Sequence, residues 1–171
     1  MQIAVTDACI FIDLLELEIT SSFFSLDLEI HTTVEVINEL YPEQQKILRA
    51  YQTVKKLTVH NLAAEDLKTV QSMPFPKALS QQDKSVLYVA SQLEAIVLSS
   101  DKPVRNFAKK QTLETHGMFW IFDQLVNHSL LTQRKAADKL HELMNSNLMY
   151  RNNLTLWKEA NLRFKSWEGN E

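Results

Sequence analysis

Glycine is nearly missing from this chain of 171 residues: only Gly117 and Gly169 occur, and neither belongs to a cluster. Without a glycine-rich turn, backbone amides cannot approach a pyrophosphate closely, so the dinucleotide and P-loop readings fall away. The same scarcity predicts a helix-rich chain with few turns at positive φ. Cysteine is almost as rare. The single thiol, Cys9, lies in an apolar run and has no partner for an internal disulfide, which suits a reducing compartment. Nor is there a long apolar run. No window approaches the roughly 18 residues of a membrane span, and Asp7 and Asp13 interrupt the N-terminal stretch before it can act as a secretory signal. These absences predict a soluble, cytoplasmic protein with no membrane partner. An excess of positive charge is lacking too. A formal net charge of -3 argues against coating nucleic acid through bulk charge, so a polyanion would have to be held by local patches.

What the chain does contain is short apolar runs alternating with helical periodicity. Strands are expected at about Gln2–Thr6, Leu28–Thr32, Leu57–Asn61, Ile96–Ser99 and Met118–Ile121. Helices are expected at Cys9–Leu17, Thr33–Leu40, Glu43–Lys55, Ala64–Gln71, Gln81–Leu93 and Pro103–Lys110, with helical patterns from Phe122 to Trp167. The stretch after Leu17, through Ser21-Ser22 and Leu26-Asp27, reads as irregular, and Asn145 to Asn153 as a loop. This alternation predicts an α/β fold, a three-layer α/β/α sandwich around a mostly parallel sheet of four to five strands, with a helical C-terminal tail. The length suits a chain that buries roughly 70% of its unfolded surface.

Asp7 and Asp101 each stand where a strand-like run ends and a helix begins. In an open parallel sheet those ends form the crevice where ligands bind, so the two can converge although distant in sequence. Asp83 opens the helix leading into the fourth strand, on the same azimuth as Val86, Leu87, Ala90 and Leu93. Converging carboxylates repel one another, and a hard cation that takes oxygen ligands relieves that cost. Three of the acids also have a plainer explanation. Ser80-Gln81-Gln82-Asp83 matches a capping box, Asp101 before Lys102-Pro103 matches an N-cap, and Glu39 falls on the polar margin of its helix. Lys102, Arg105 and Lys109 share one face of the helix after Asp101, opposite Val104, Phe107 and Ala108. That is a solvated face by itself and a phosphate-holding face beside a metal cluster. His60, His116 and His128 lack metal-pair spacing, and Trp157 and Trp167 read as helix packing.

Four segments together resemble the PIN-domain family, which includes the VapC-type toxins. They are Val5-Thr6-Asp7-Ala8-Cys9-Ile10, Thr32-Thr33-Val34-Glu35-Val36-Ile37-Asn38-Glu39-Leu40, Leu79-Ser80-Gln81-Gln82-Asp83 and Val97-Leu98-Ser99-Ser100-Asp101. The resemblance picks Glu39 over Glu35. It implies a PIN-like nuclease domain over residues 1–131, with residues 132–171 as a helical extension packed on the same domain. It implies Asp7, Glu39, Asp83 and Asp101 as catalytic and metal-binding residues and Mg²⁺ or Mn²⁺ as cofactor. The implied activity is metal-dependent endoribonuclease cleavage of RNA, with a toxin role and a cognate antitoxin as partner. A second copy of the chain is a further expected partner. The alternative is a PIN-like module that binds RNA or protein without cleaving. Aspartyl-phosphate chemistry ranks last, since Asp7-Ala8-Cys9 lacks the nearby second acid. One departure from the family pattern is the bulky run after the last strand, Gly117 to Phe122, where Asp123 reads as a helix cap rather than a fifth ligand.

Overall fold

A computed structural model describes residues 1–169. Two compact units share the chain: Met1–Ile12 with Asp27–Met118, and Asp13–Leu26 with the residues from Phe119 onward. The first unit holds a five-stranded sheet in the order β3-β2-β1-β4-β5. Its strands are β1 (Gln2–Thr6), β2 (Leu28–Thr33), β3 (Leu57–His60), β4 (Ile96–Leu98) and β5 (Thr115–His116). Every pairing is parallel, with Ala4 opposite Ile30 on one side and Ile96 on the other.

Parallel strands need crossover connections, and the periodic segments supply them. The helices are α1 (Ala8–Glu16), α2 (Thr20–Phe23), α3 (Val34–Glu39), α4 (Pro42–Thr53), α5 (Ala64–Ser72), α6 (Gln81–Leu93), α7 (Lys102–Lys110), α8 (Met118–Asn127), α9 (Gln133–Ser146), α10 (Leu148–Arg151) and α11 (Leu154–Glu168). α6 runs over β1, β2 and β4 and buries Ser85, Val86, Leu87, Tyr88, Val89 and Ala90. The middle strands carry little but apolar side chains because both of their faces are covered: Ala4, Val5, Ile96, Val97 and Leu98 are all buried. From β1 the chain steps to β2 and β3 on one side, then returns to place β4 and β5 on the other. This reversal opens a crevice beyond the carboxyl ends of β1 and β4, the usual ligand position in such sheets.

The expected α/β fold with a parallel sheet is therefore the observed one, with three local corrections. The segment Met118–Ile121 is the start of α8 rather than the fifth strand, and the true β5 is only Thr115–His116. Met118, Ile121, Phe122 and Leu125 are all essentially fully buried, which is helical spacing and not alternation. The density of aromatics simulated a β segment. Within the span expected to be irregular, Thr20–Phe23 forms a short helix, and the expected loop at Asn145–Asn153 contains α10. Two of its asparagines are N-caps: Asn147 accepts from the Met149 amide and Asn153 from the Leu156 amide. Scarce glycine does not mean scarce positive φ, because Glu18, Lys55, Glu94, Thr112 and Ser129 adopt it instead.

In the second unit α11 packs along α9, and the Phe122 and Trp167 rings lie 6.5 Å apart. Asp123 is not a helix cap. It sits inside α8 and its carboxylate accepts from Arg163 at 2.7 Å and 2.9 Å, while the guanidinium lies over the Phe119 ring. No helix among the described residues is long and apolar enough to cross a membrane.

Candidate active site

Asp7 occupies the single residue between β1 and α1, directly at the crevice. Its amide donates to the Leu98 carbonyl at 3.1 Å, which pins the end of β1 to the end of β4. Its carboxylate caps α1 by accepting from the Ile10 amide at 3.1 Å, and it also accepts from the Cys9 thiol at 3.0 Å and 3.1 Å. Asp101 ends the turn after β4 and stands at the N-cap of α7, but its side chain makes no capping hydrogen bond. The plain cap explanation therefore does not account for this carboxylate. Asp83 does cap: it exchanges hydrogen bonds with Ser80 at 2.9 Å and 3.1 Å at the start of α6. Glu39 is the last residue of α3.

These four elements bring all four acids to one cavity of about 350 Å³, lined by Asp7, Glu39, Asp83 and Asp101 together with Cys9, Ser80 and Gln82. Glu39 is part of its wall and Glu35 is not. The electrostatics agree with a shared space. Burial pushes the Asp7 carboxyl up to about 6, with Asp83 adding to the rise and hydrogen bonds from Cys9, Ser99 and the Ile10 amide working against it. Glu39 and Asp101 are also raised, first by burial and then by the charge of Asp83. Asp83 is thus the charge that the other three acids all feel.

The carboxylates rim the cavity rather than meet at a point. Among the described residues no three His, Cys, Asp or Glu side chains stand close enough to hold one ion as placed. Mutual repulsion favours such spreading, and the caps and thiol contact engage Asp7 and Asp83. The donor set still fits a hard divalent cation: all four acids offer oxygen, Asp7 is only 4% exposed, and among the described residues no Lys or Arg forms an ion pair with any of them.

Two residues at this site were not singled out as site residues from sequence. Ser99, fully buried, hydrogen-bonds the Asp7 carboxylate and accepts from the Asp101 amide at 3.0 Å, so one hydroxyl ties the two acids together. Cys9 reaches Asp7 because i and i+2 share the first helical turn at a cap. The signal for Ser99 was a hydroxyl two residues before an acid at a strand end. Lys102 and Lys109 are exposed on α7 and Arg105 is half-buried there; none of them lines the cavity. His60 faces His31 with ring nitrogens 2.9 Å apart on neighbouring strands.

A family model described as PIN domain matches residues 3–160. Among solved structures, a PilT N-terminus domain protein from the hyperthermophilic archaeon Sulfolobus solfataricus P2 aligns with a TM-score of 0.50 and 18% identity. The alignment covers 74% of this chain and 92% of that chain, and at this identity it bears on the fold alone. No curated protein matches the chain. PIN domains are generally nucleases and generally use divalent metals. A match that begins inside β1 and runs into α11 takes in every one of the four acids, and the chain belongs to the PIN-domain family.

Proposed function

We propose that this protein is a divalent-metal-dependent endoribonuclease. The observation that carries the reading is the meeting of Asp7, Glu39, Asp83 and Asp101, from four separate elements, around one cavity at the reversal point of a parallel sheet. Asp7 and Asp101 are the principal ligands for Mg²⁺ or Mn²⁺, and Asp83 is a ligand directly or through water. A bound ion supplies Lewis acidity that makes water a stronger nucleophile and offsets the charge of the phosphodiester.

The chain's own groups do the rest. Glu39, at the end of α3, is a ligand or orients the attacking water, and burial and the charge of Asp83 both raise its carboxyl. Ser99 and the Leu98 carbonyl fix Asp7, and Ser99 holds the Asp101 backbone, so the two principal acids keep a constant separation. Lys102, Arg105 and Lys109 hold RNA phosphates on the helix that begins directly after Asp101; these contacts position the strand and carry no sequence information. No protein nucleophile is needed.

The test is cleavage of structured and unstructured RNA by purified protein with Mn²⁺ or with chelator. Cleavage should require the ion and disappear in Asp101→Asn. Cleavage that survives both chelator and this substitution would exclude the mechanism. The toxin role implied by the VapC resemblance has its own test: induced expression should arrest growth, Asp101→Asn should not, and co-expression of a cognate antitoxin should relieve the arrest.

A further inference from the structure

A buried chain of hydroxyls joins the two helices that carry Glu39 and Asp83. The Val36 amide donates to Thr33 Oγ1 at 3.3 Å, Thr33 Oγ1 and Ser85 Oγ lie 2.7 Å apart, and Ser85 Oγ donates to the Gln82 carbonyl at 2.7 Å. The proton order follows from counting. A serine hydroxyl has one hydrogen, and Ser85 gives it to Gln82, so Thr33 donates to Ser85 and in turn accepts from Val36. Three bonds therefore run in one direction, an arrangement in which each polarises the next. Both side chains are almost wholly buried, Thr33 at 0% and Ser85 at 2% exposure, where an unmade hydrogen bond is costly.

The position of this chain matters more than its strength. Thr33 is the last residue of β2 and the N-cap of α3, the six-residue helix that ends at Glu39. Ser85 lies two residues beyond Asp83, and its acceptor Gln82 lies one residue before it, in the first turn of α6. Gln82 and Val36 themselves line the acid cavity. A short helix pinned at its start by one neighbour has little freedom at its end, so the chain sets where Glu39 stands relative to Asp83.

We propose that Thr33 and Ser85 are positioning residues that hold the α3 and α6 carboxylates in register for a shared divalent ion. The inference rests on the nuclease reading and adds to it two residues that touch neither ion nor RNA. The comparison is of wild type, Thr33→Val, Thr33→Ser and Ser85→Ala, all as the full chain. Mn²⁺ affinity is read by calorimetry, kcat and KM on RNA by single-substrate assay, and thermal melting beside them.

Thr33→Val and Ser85→Ala should weaken Mn²⁺ binding by about 10- to 100-fold, the usual cost of losing a group that orients a ligand. kcat at fixed Mn²⁺ should fall in proportion while KM for RNA stays within about twofold of wild type. Thr33→Ser keeps the hydroxyl and should restore both. Should Thr33→Val not fold, Ser85→Ala, which removes one oxygen, carries the same expectation. A lowered melting temperature with unchanged Mn²⁺ affinity and kcat would show a purely structural role and overturn the inference, as would a Thr33→Ser that behaves like Thr33→Val. Wild type that binds no Mn²⁺ and cuts no RNA is a different result, since it removes the nuclease reading as well.

Discussion

Asp7 shows at the scale of one residue how stability and activity oppose each other. Its carboxyl is raised from 3.8 to about 6 by burial, so the folded state prefers the neutral acid. The contribution to stability is fully present below pH 3.8 and is lost as pH rises through about 6. In chelator at neutral pH the charged form costs on the order of 3 kcal/mol. Asp7→Asn should therefore raise the melting temperature of metal-free protein at pH 7.5 and flatten its dependence between pH 4 and 6, while reducing RNA cleavage by at least about 100-fold. A variant that is less stable than wild type at pH 7.5 in chelator would contradict this account of Asp7. Asp7 and Asp101 drew notice in sequence because each stands where a strand-like run ends and a helix begins, whereas Glu39 was picked over Glu35 by the family resemblance alone. Ser99 and Cys9 did not stand out as site residues, because a hydroxyl or a thiol beside an acid gains meaning only when folding brings two strand ends together.

Elements decide what the residues can do. α7 places Val104, Phe107 and Ala108 inside and Lys102 and Lys109 outside, so its basic face can be altered without disturbing its packing. Lys102→Ala with Lys109→Ala should weaken RNA binding while leaving kcat at saturating RNA unchanged. The salt dependence should fall by about 0.7 per lost phosphate contact on a single strand. Equal salt slopes in filter-binding titrations of variant and wild type would remove these lysines from the RNA path. In α8, whose first four residues read as a strand in the sequence, Leu125 is fully buried, so Leu125→Ala should cost about 2–5 kcal/mol in chemical denaturation. A cost below about 1 kcal/mol would contradict its placement in the core. The sequence misled here because Met118 to Ile121 is apolar at every position, and four such residues fit either period. Only the continuation through Phe122 and Leu125 separates helix from strand. β5 escaped notice for the opposite reason, since two residues, Thr115 and His116, are too few to show any period.

For the whole molecule, the α/β class and the places of the first four strands along the chain could be read from sequence because short strands alternating with helices indicate a parallel sheet. The reversal between β1 and β4, which creates the crevice, could not be read from local pattern, since it depends on which side of β1 the chain returns to. That reversal gives four weak signals a common place. Under the proposed function it would also let a chain of net charge -3 act on a polyanion: with the acids gathered at one cavity, a bound cation would invert the local field there, and α7 offers cations beside it. The most direct measurement is an anomalous difference map from crystals soaked in Mn²⁺. A peak within coordination distance of Asp7 and Asp101, with Asp83 or Glu39 completing the ligands directly or through water, is the predicted result. A fully soaked crystal with no peak in this cavity, or with Mn²⁺ bound only elsewhere, would contradict the account.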